Sequence, residues 1–287
     1  MNARKINVAC IQLRSSDDVA ENLDKTSAFI RKAHRDGARF IATPENTCLM
    51  APDGGAKLEK SFAEQDDPAL PAFCALANEL DIWLLIGSLA IKVSPTKTAN
   101  RSFLIGPDGR IAARYDKIHL FDVNLPSGET YRESNTVAPG DDAVVANLPW
   151  ARVGLSVCYD LRFPQLYRTL AKAGAELLTV PSAFTETTGK AHWHVLLRAR
   201  AIETGAYVLA ACQGGLHENG RSTYGHSMIV SPWGEVLAEA GEDPQILLAD
   251  IDLGLCAETR AKIPSLKHGR AFEVEIAGAK KPRKEVK

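Results

Sequence analysis

Short apolar runs alternate with amphipathic stretches along almost the whole chain. Residues 6–13 read as a strand, 23–33 as a helix, and Phe40, Ile41 and Ala42 as a second strand, which is an α/β rhythm. Leu70, Phe73, Ala77 and Leu80 fall on one helical face, Pro68 stands near its start, and the apolar run 83–86 follows. That order predicts a strand-helix-strand unit. Residues 102–105 and 110–115 flank Gly106-Pro107-Asp108-Gly109, whose glycines and proline suit a turn, so a hairpin is expected and the sheet is mixed. Farther on, the pattern predicts a buried strand over 153–158, a helix over 165–173 and a strand over 176–180. A helix over 192–204 stopped by Gly205 and a strand over 207–211 come next. Strands 228–230 and 235–237 flank Pro232-Trp233-Gly234, and a strand over 246–251 and a short helix to about residue 262 close the series.

No repeat, low-complexity tract or Pro/Gly/Ser linker divides the chain, so residues 1–277 are read as one domain. Residues 278–287 are small, basic and aperiodic, the signature of a disordered tail. Between Asp116 and Gly140 about 25 residues lack a regular pattern, a length that compact domains keep for a functional reason.

Charge and cysteine content narrow the function classes. Among 287 residues, 34 Lys and Arg balance 35 Asp and Glu, so nothing draws the chain as a whole to nucleic acid or to an anionic membrane. The basic run Lys280-Lys281-Pro282-Arg283-Lys284 is too short for more than weak, salt-sensitive phosphate contacts. Asn7 and Gln12 interrupt the first apolar run, which excludes a signal-peptide core, and no run approaches the roughly 18 apolar residues of a membrane span. A cytoplasmic protein is expected. The six cysteines are far apart with no CxxC pair, which argues against a metal cluster and a disulfide framework and leaves room for a working thiol.

Cys158 is the best candidate for that thiol. It stands where the strand 153–158 gives way to the helix 165–173, a position from which a nucleophile projects off a sharp turn with the N–H of Tyr159 facing developing negative charge. Glu45 and Lys117 also lie at strand exits, after 40–42 and 110–115, where α/β sheets carry their active groups. Taken singly, each has an ordinary reading, a core thiol and two solvated charges. His192 and His194 are two apart on a helix and point to different faces, so they are no ligand pair. His119 and His226 remain the partners of a rival Cys-His mechanism.

Pro44-Glu45, Tyr115-Asp116-Lys117-Ile118-His119-Leu120-Phe121-Asp122, Glu133-Ser134 with Pro139-Gly140, and the run 154–164 around Cys158 resemble, in order and spacing, the signatures of the nitrilase superfamily of carbon-nitrogen hydrolases. Pro181-Ser182-Ala183-Phe184, Ala191-His192-Trp193, the run 198–203 and Tyr224-Gly225-His226-Ser227 are similar to its Nit-type amidase branch. The resemblance runs from Lys5 to about Arg270. It implies a four-layer α-β-β-α sandwich with two mixed sheets, at least a homodimer, and no cofactor or metal. It also implies Glu45 as general base, Lys117 as catalytic lysine, Cys158 as nucleophile and Glu133 as supporting carboxylate. In that pattern Tyr159 contributes to the oxyanion site and His192 and Trp193 line the pocket.

The reaction so implied is hydrolysis of a small carboxylate-bearing amide through a thioester, with deaminated glutathione or an α-keto acid monoamide as the substrate type. Arg162, Arg198 and Arg200 are the cationic clamps available in the motifs, and residues 46–55 are expected to border the pocket. A nitrilase or N-carbamoyl hydrolase of the same superfamily is the nearest alternative. A small-molecule-binding protein without turnover and a thiol redox protein complete the field.

Overall fold

The computed structural model describes residues 5–126 and 128–277; the expected basic tail, 278–287, lies outside the described residues. Two mixed sheets carry the fold. In the first, the strands run in the order Gln245–Asp252, Lys5–Gln12, Phe40–Ala42, Trp83–Ser94, Lys97–Ile105, Ile111–Asp116, and Val137–Ala138 adds to Lys97–Ile105 in parallel. In the second, the order is Val236–Glu239, Met228–Val230, Tyr207–Ala210, Leu177–Thr179, Arg152–Gly154, Val145–Asn147.

The layer order follows from the two-residue period of a strand. In Lys5–Gln12, Val8 and Cys10 join one buried cluster while Ala9 and Ile11 join the other, and Leu104 parts in the same way from Phe103 and Ile105. The first cluster fills the space between the sheets, with Val8, Phe40 and Leu85 on one side and Val153, Leu177 and Ile229 on the other, and continues through the second sheet to its outer face. The second packs the outer face of the first sheet against the helices Val19–Arg35 and Ala69–Leu80 through Ile30, Ala33, Phe73 and Ala77. Helices Pro164–Lys172 and Glu186–Thr204 cover the second sheet through Leu166, Leu170, Trp193 and Leu197. The molecule is thus the four-layer α-β-β-α sandwich, with each sheet buried on both faces, and no helix among the described residues is long and apolar enough to cross a membrane.

Three elements differ from the pattern. The expected strand 153–158 is paired only over Arg152–Gly154. Beyond it the chain stays extended but leaves the ladder, because Ser156 Oγ bonds to Thr179 O and to the Tyr167 hydroxyl, both at 2.7 Å. The helix expected from 192 starts six residues earlier, at Glu186, where the Thr185 side chain caps it. Its Gly189 hides the start from a propensity reading, yet the structure requires it, since a Cβ there would come within 2.2 Å of the Tyr224 ring. Third, the patternless stretch 116–140 holds a small hairpin, Asp122–Asn124 with Thr130–Arg132, and a turn of 3-10 helix, Glu133–Asn135.

Candidate active site

Cys158 opens a short 3-10 helix, Cys158–Arg162, with φ at 50°, a conformation that strains any residue bearing a Cβ. Its N–H donates to Pro181 O at 2.9 Å. The buried Asp160 holds this corner. One carboxylate oxygen accepts from the Val157 N–H at 2.8 Å and the Tyr115 hydroxyl at 2.6 Å. The other accepts from the His119 N–H at 3.0 Å and lies 2.7 Å from His119 Nδ1, a contact that requires Nδ1 to carry a proton. Tyr115 and His119 bracket Lys117, so a single carboxylate ties the lysine segment to the cysteine segment.

Lys117 Nζ lies 3.0 Å from Glu45 Oε1 and 3.1 and 2.8 Å from the two oxygens of Glu133. Asn100 Nδ2 donates to both carboxylates, at 2.8 Å to Glu45 and 3.1 Å to Glu133. Ala183 N–H completes Glu45 at 2.8 Å and Phe121 N–H completes Glu133 at 2.7 Å. Burying these charges is tolerable because each is paired and hydrogen-bonded. The Cys158 thiol lies beside Glu45 and the Ala183 N–H.

Electrostatics set the resting charge state. Burial pushes the Glu45 carboxyl up, but the Lys117 ammonium, the thiol and Lys57 outweigh it and hold it at about 2. Burial opposes the Lys117 charge as well, and Glu133 and Glu45 more than compensate, keeping it well above an ordinary lysine. Burial and the neighbouring Glu45 carboxylate drive the Cys158 thiol well above its ordinary value against the pull of Lys117. A neutral thiol therefore rests beside a carboxylate-ammonium-carboxylate array.

These groups open onto a cavity of about 360 Å³, whose wall also includes Tyr159, Phe121, Tyr131, Phe184, Lys57 and Arg221. Glu45, Lys117, Glu133, Cys158 and Tyr159 meet there as the sequence implied, and residues 46 and 51–54 border it. No histidine lines it, so neither His119 nor His226 is placed for a Cys-His pair.

The other expected binding residues stand outside the cavity wall. Trp193 is fully buried, packed 5.0 Å from the Phe184 ring and donating to His226 O at 2.7 Å. Arg162 lies over the Phe184 and Tyr159 rings and meets His192 Nδ1 at 3.2 Å, so both back the wall from behind. Arg200 spends its guanidinium on Leu161 O and Glu203, and Arg198 on Gly234 O. Besides Lys117, the cations in the cavity wall are Lys57, Arg221 and Arg132, which the motifs did not reveal, and Arg132 spends its guanidinium on Val123 O, Tyr131 O and Asn124 Oδ1. Lys57 sits on the short helix Gly54–Glu59 and donates to Asn46 Oδ1 at 2.8 Å. Arg221 follows the tight turn at Gly220, donates to Ala183 O at 2.8 Å, and keeps a buried Nε with no hydrogen-bond partner among the described residues.

The carbon-nitrogen hydrolase family model matches residues 7–261. The chain belongs to that family. It is 42% identical over 265 residues to a deaminated glutathione amidase of Synechocystis sp., covering 91% of this chain and 96% of the relative. Identity to human omega-amidase NIT2 is 39% over 278 residues, covering 96% and 98%. The crystal structure of the C. elegans NitFhit protein superposes with a TM-score of 0.87 at 36% identity, over 94% of this chain and 66% of that one. The protein is accordingly an enzyme that hydrolyses carbon-nitrogen bonds other than peptide bonds.

Proposed function

We propose that the enzyme hydrolyses the amide of a small, carboxylate-bearing substrate to carboxylate and ammonia through a thioester on Cys158. The observation that carries this reading is the convergence of the thiol, Glu45, Lys117 and Glu133 on one cavity. Because the thiol rests protonated and Glu45 is a weak base, proton transfer to Glu45 is uphill until sulfur bonds to the carbonyl carbon, so the two events are coupled. The carbonyl oxygen gains negative charge, which the Lys117 ammonium and the Tyr159 N–H stabilise; losing one such donor costs on the order of 3 kcal/mol. Glu45 then passes its proton to the departing ammonia, and later takes one from the water that splits the thioester. Glu133 and Asn100 act by holding Lys117 and Glu45.

The substrate carboxylate is supported by charge. Four cations, Lys57, Lys117, Arg132 and Arg221, and three carboxylates, Glu45, Asp53 and Glu133, line the cavity, leaving one positive charge in excess. The orphaned Nε of Arg221 offers a donor to an anion. Deaminated glutathione, the substrate in the name of one set of relatives, and α-keto acid monoamides, the substrate type implied by the family resemblance, both carry such a carboxylate. The reading also places the protein in the cytoplasm, in keeping with six cysteines that form no disulfide among the described residues, as one catalytic domain over 1–277 that works as a homodimer.

Ammonia release measured across carboxylate-bearing amides, neutral amides of the same size, nitriles and N-carbamoyl compounds tests the function. Turnover should be highest for the carboxylate-bearing amides, and Arg221→Gln should raise KM for these about tenfold or more while leaving the neutral amides unchanged. Equal loss on both sets would remove Arg221 as the anion partner, and preferred turnover of nitriles would replace the amidase reading.

A further inference from the structure

Outside the lining of the Cys158 cavity, three side chains with metal-ligating atoms converge, and no step of the amidase reaction uses them. His194 comes from the helix Glu186–Thr204, His226 from the turn after Ser222–Tyr224, and Glu239 from the end of the strand Val236–Glu239. His194 Nε2 lies 2.8 Å and His226 Nδ1 2.9 Å from the same oxygen, Glu239 Oε1, and the three ligand atoms fall within 4.8 Å of one another. We propose that His194, His226 and Glu239 form a binding site for a divalent transition-metal ion of the Zn²⁺ class.

The donor set selects the ion. Two imidazoles and one carboxylate suit Zn²⁺ and its neighbours, whereas Ca²⁺ and Mg²⁺ require mostly oxygen ligands. With metal-ligand bonds of about 2.0–2.1 Å, ligand atoms in a tetrahedral site stand roughly 3.3 Å apart. Glu239 Oε1 therefore needs to draw back from the two histidine nitrogens by only about half an ångström, a movement within reach of a side chain that is 35% exposed. The two histidine side chains are 35% and 25% exposed, so water can complete the coordination.

The ligands are also held before any ion arrives. His226 has φ at 51°, and its backbone is fixed on both sides, N–H to Gly241 O at 2.9 Å and O from Trp193 Nε1 at 2.7 Å. Since Trp193 precedes His194, that last bond ties together the two segments that bear the histidines. The His226 ring stacks on Tyr224 at 4.3 Å, which limits its rotation.

Cobalt(II) titration of the full-length protein, followed by competition with Zn²⁺, tests the site, because cobalt reports its own ligands. One Co²⁺ should bind per chain with the intense d–d bands of low coordination and no thiolate-to-cobalt charge-transfer band, and Zn²⁺ should displace it. His194→Ala and Glu239→Gln, both at partly exposed positions, should each weaken binding about 100-fold or more, beyond the 10–100-fold cost of losing an outer hydrogen-bond partner. His226→Asn, which tolerates the left-handed backbone, should do the same. The proposal falls if no saturable one-to-one binding occurs, if His194→Ala and Glu239→Gln bind as the wild type does, or if the bound cobalt carries the thiolate band. None of these results bears on the chemistry of Cys158, which is read out separately by ammonia release.

Discussion

At the scale of single residues, the site separates what each charge does. Cys158→Ala removes the only atom able to carry the acyl group, so ammonia release should fall to background while the substrate still binds, as calorimetry with the best amide would show. Retained wild-type turnover would sink the covalent mechanism. Glu45→Gln keeps the hydrogen bond to the Ala183 N–H but accepts no proton, so both halves of the reaction should slow by about 100-fold or more. If thioester hydrolysis suffers more than attack, intact-protein mass spectrometry will find the acyl group on Cys158. The same carboxylate makes a stability prediction. Its folded value of about 2 lies below the ordinary 4.5, so its ionised form stabilises the fold fully above 4.5 and loses that contribution as pH falls toward 2. Melting temperatures of wild type and Glu45→Gln should therefore converge over that acid range. A difference that stays constant would show that Glu45 is not held ionised by Lys117.

At the scale of elements, the active corner is a joint between segments that the chain order keeps apart. Asp160 accepts from Tyr115, His119 and Val157, and an amide in its place has one acceptor oxygen instead of two. Asp160→Asn should cost about 2–3 kcal/mol of stability, and Tyr115→Phe about 1 kcal/mol or somewhat more. Both should lower kcat more than they raise KM, because they move Cys158 against Lys117 and leave the substrate wall intact. Denaturant melts and steady-state kinetics on the pair check this. The helix Glu186–Thr204 carries a parallel constraint at Gly189, where an added methyl meets the Tyr224 ring at well under contact distance. Gly189→Ala, which on propensity alone would stabilise a helix by roughly 1 kcal/mol, should instead destabilise the protein by about 1–3 kcal/mol. The two rules predict opposite signs, so one melting curve decides between them.

At the scale of the whole molecule, exposed apolar groups bear on the proposed homodimer. Phe272, Val274 and Ile276 alternate along an extended C-terminal segment and are 85%, 84% and 74% exposed, an arrangement that a single copy leaves unpaired. Val195, Ile202 and Trp233 add exposed apolar surface on and beside the helix Glu186–Thr204. Light scattering at micromolar concentration should give a dimer, and Phe272→Asp combined with Val274→Asp should shift it toward a monomer with the far-ultraviolet circular dichroism unchanged. A wild-type protein that is monomeric under those conditions would remove the homodimer from the functional reading.

The sequence alone determined the local alternation, and with it most of the architecture. Strand periodicity at Val8, Ala9, Cys10 and Ile11 already encodes a sheet buried on both faces, because consecutive side chains must point to opposite sides. The turn at residues 106–109 and the stop at Gly205 were legible for the same local reason, as both need backbone freedom that glycine supplies. The motif order also carried Glu45, Lys117, Glu133 and Cys158, which tertiary structure then gathered into one cavity. What only the tertiary structure decided is what faces what. Arg162, His192 and Trp193 sit in fitting motifs yet lie behind the wall, while Lys57 and Arg221, on a short helix and beyond a small turn with no motif of their own, face the thiol's cavity. His194 meets His226 and Glu239 across 32 and 45 positions of chain. Periodicity tells which side of its own element a residue takes, but the partner across a cavity is set by how sheets and helices pack, and that information resides in contacts between distant segments.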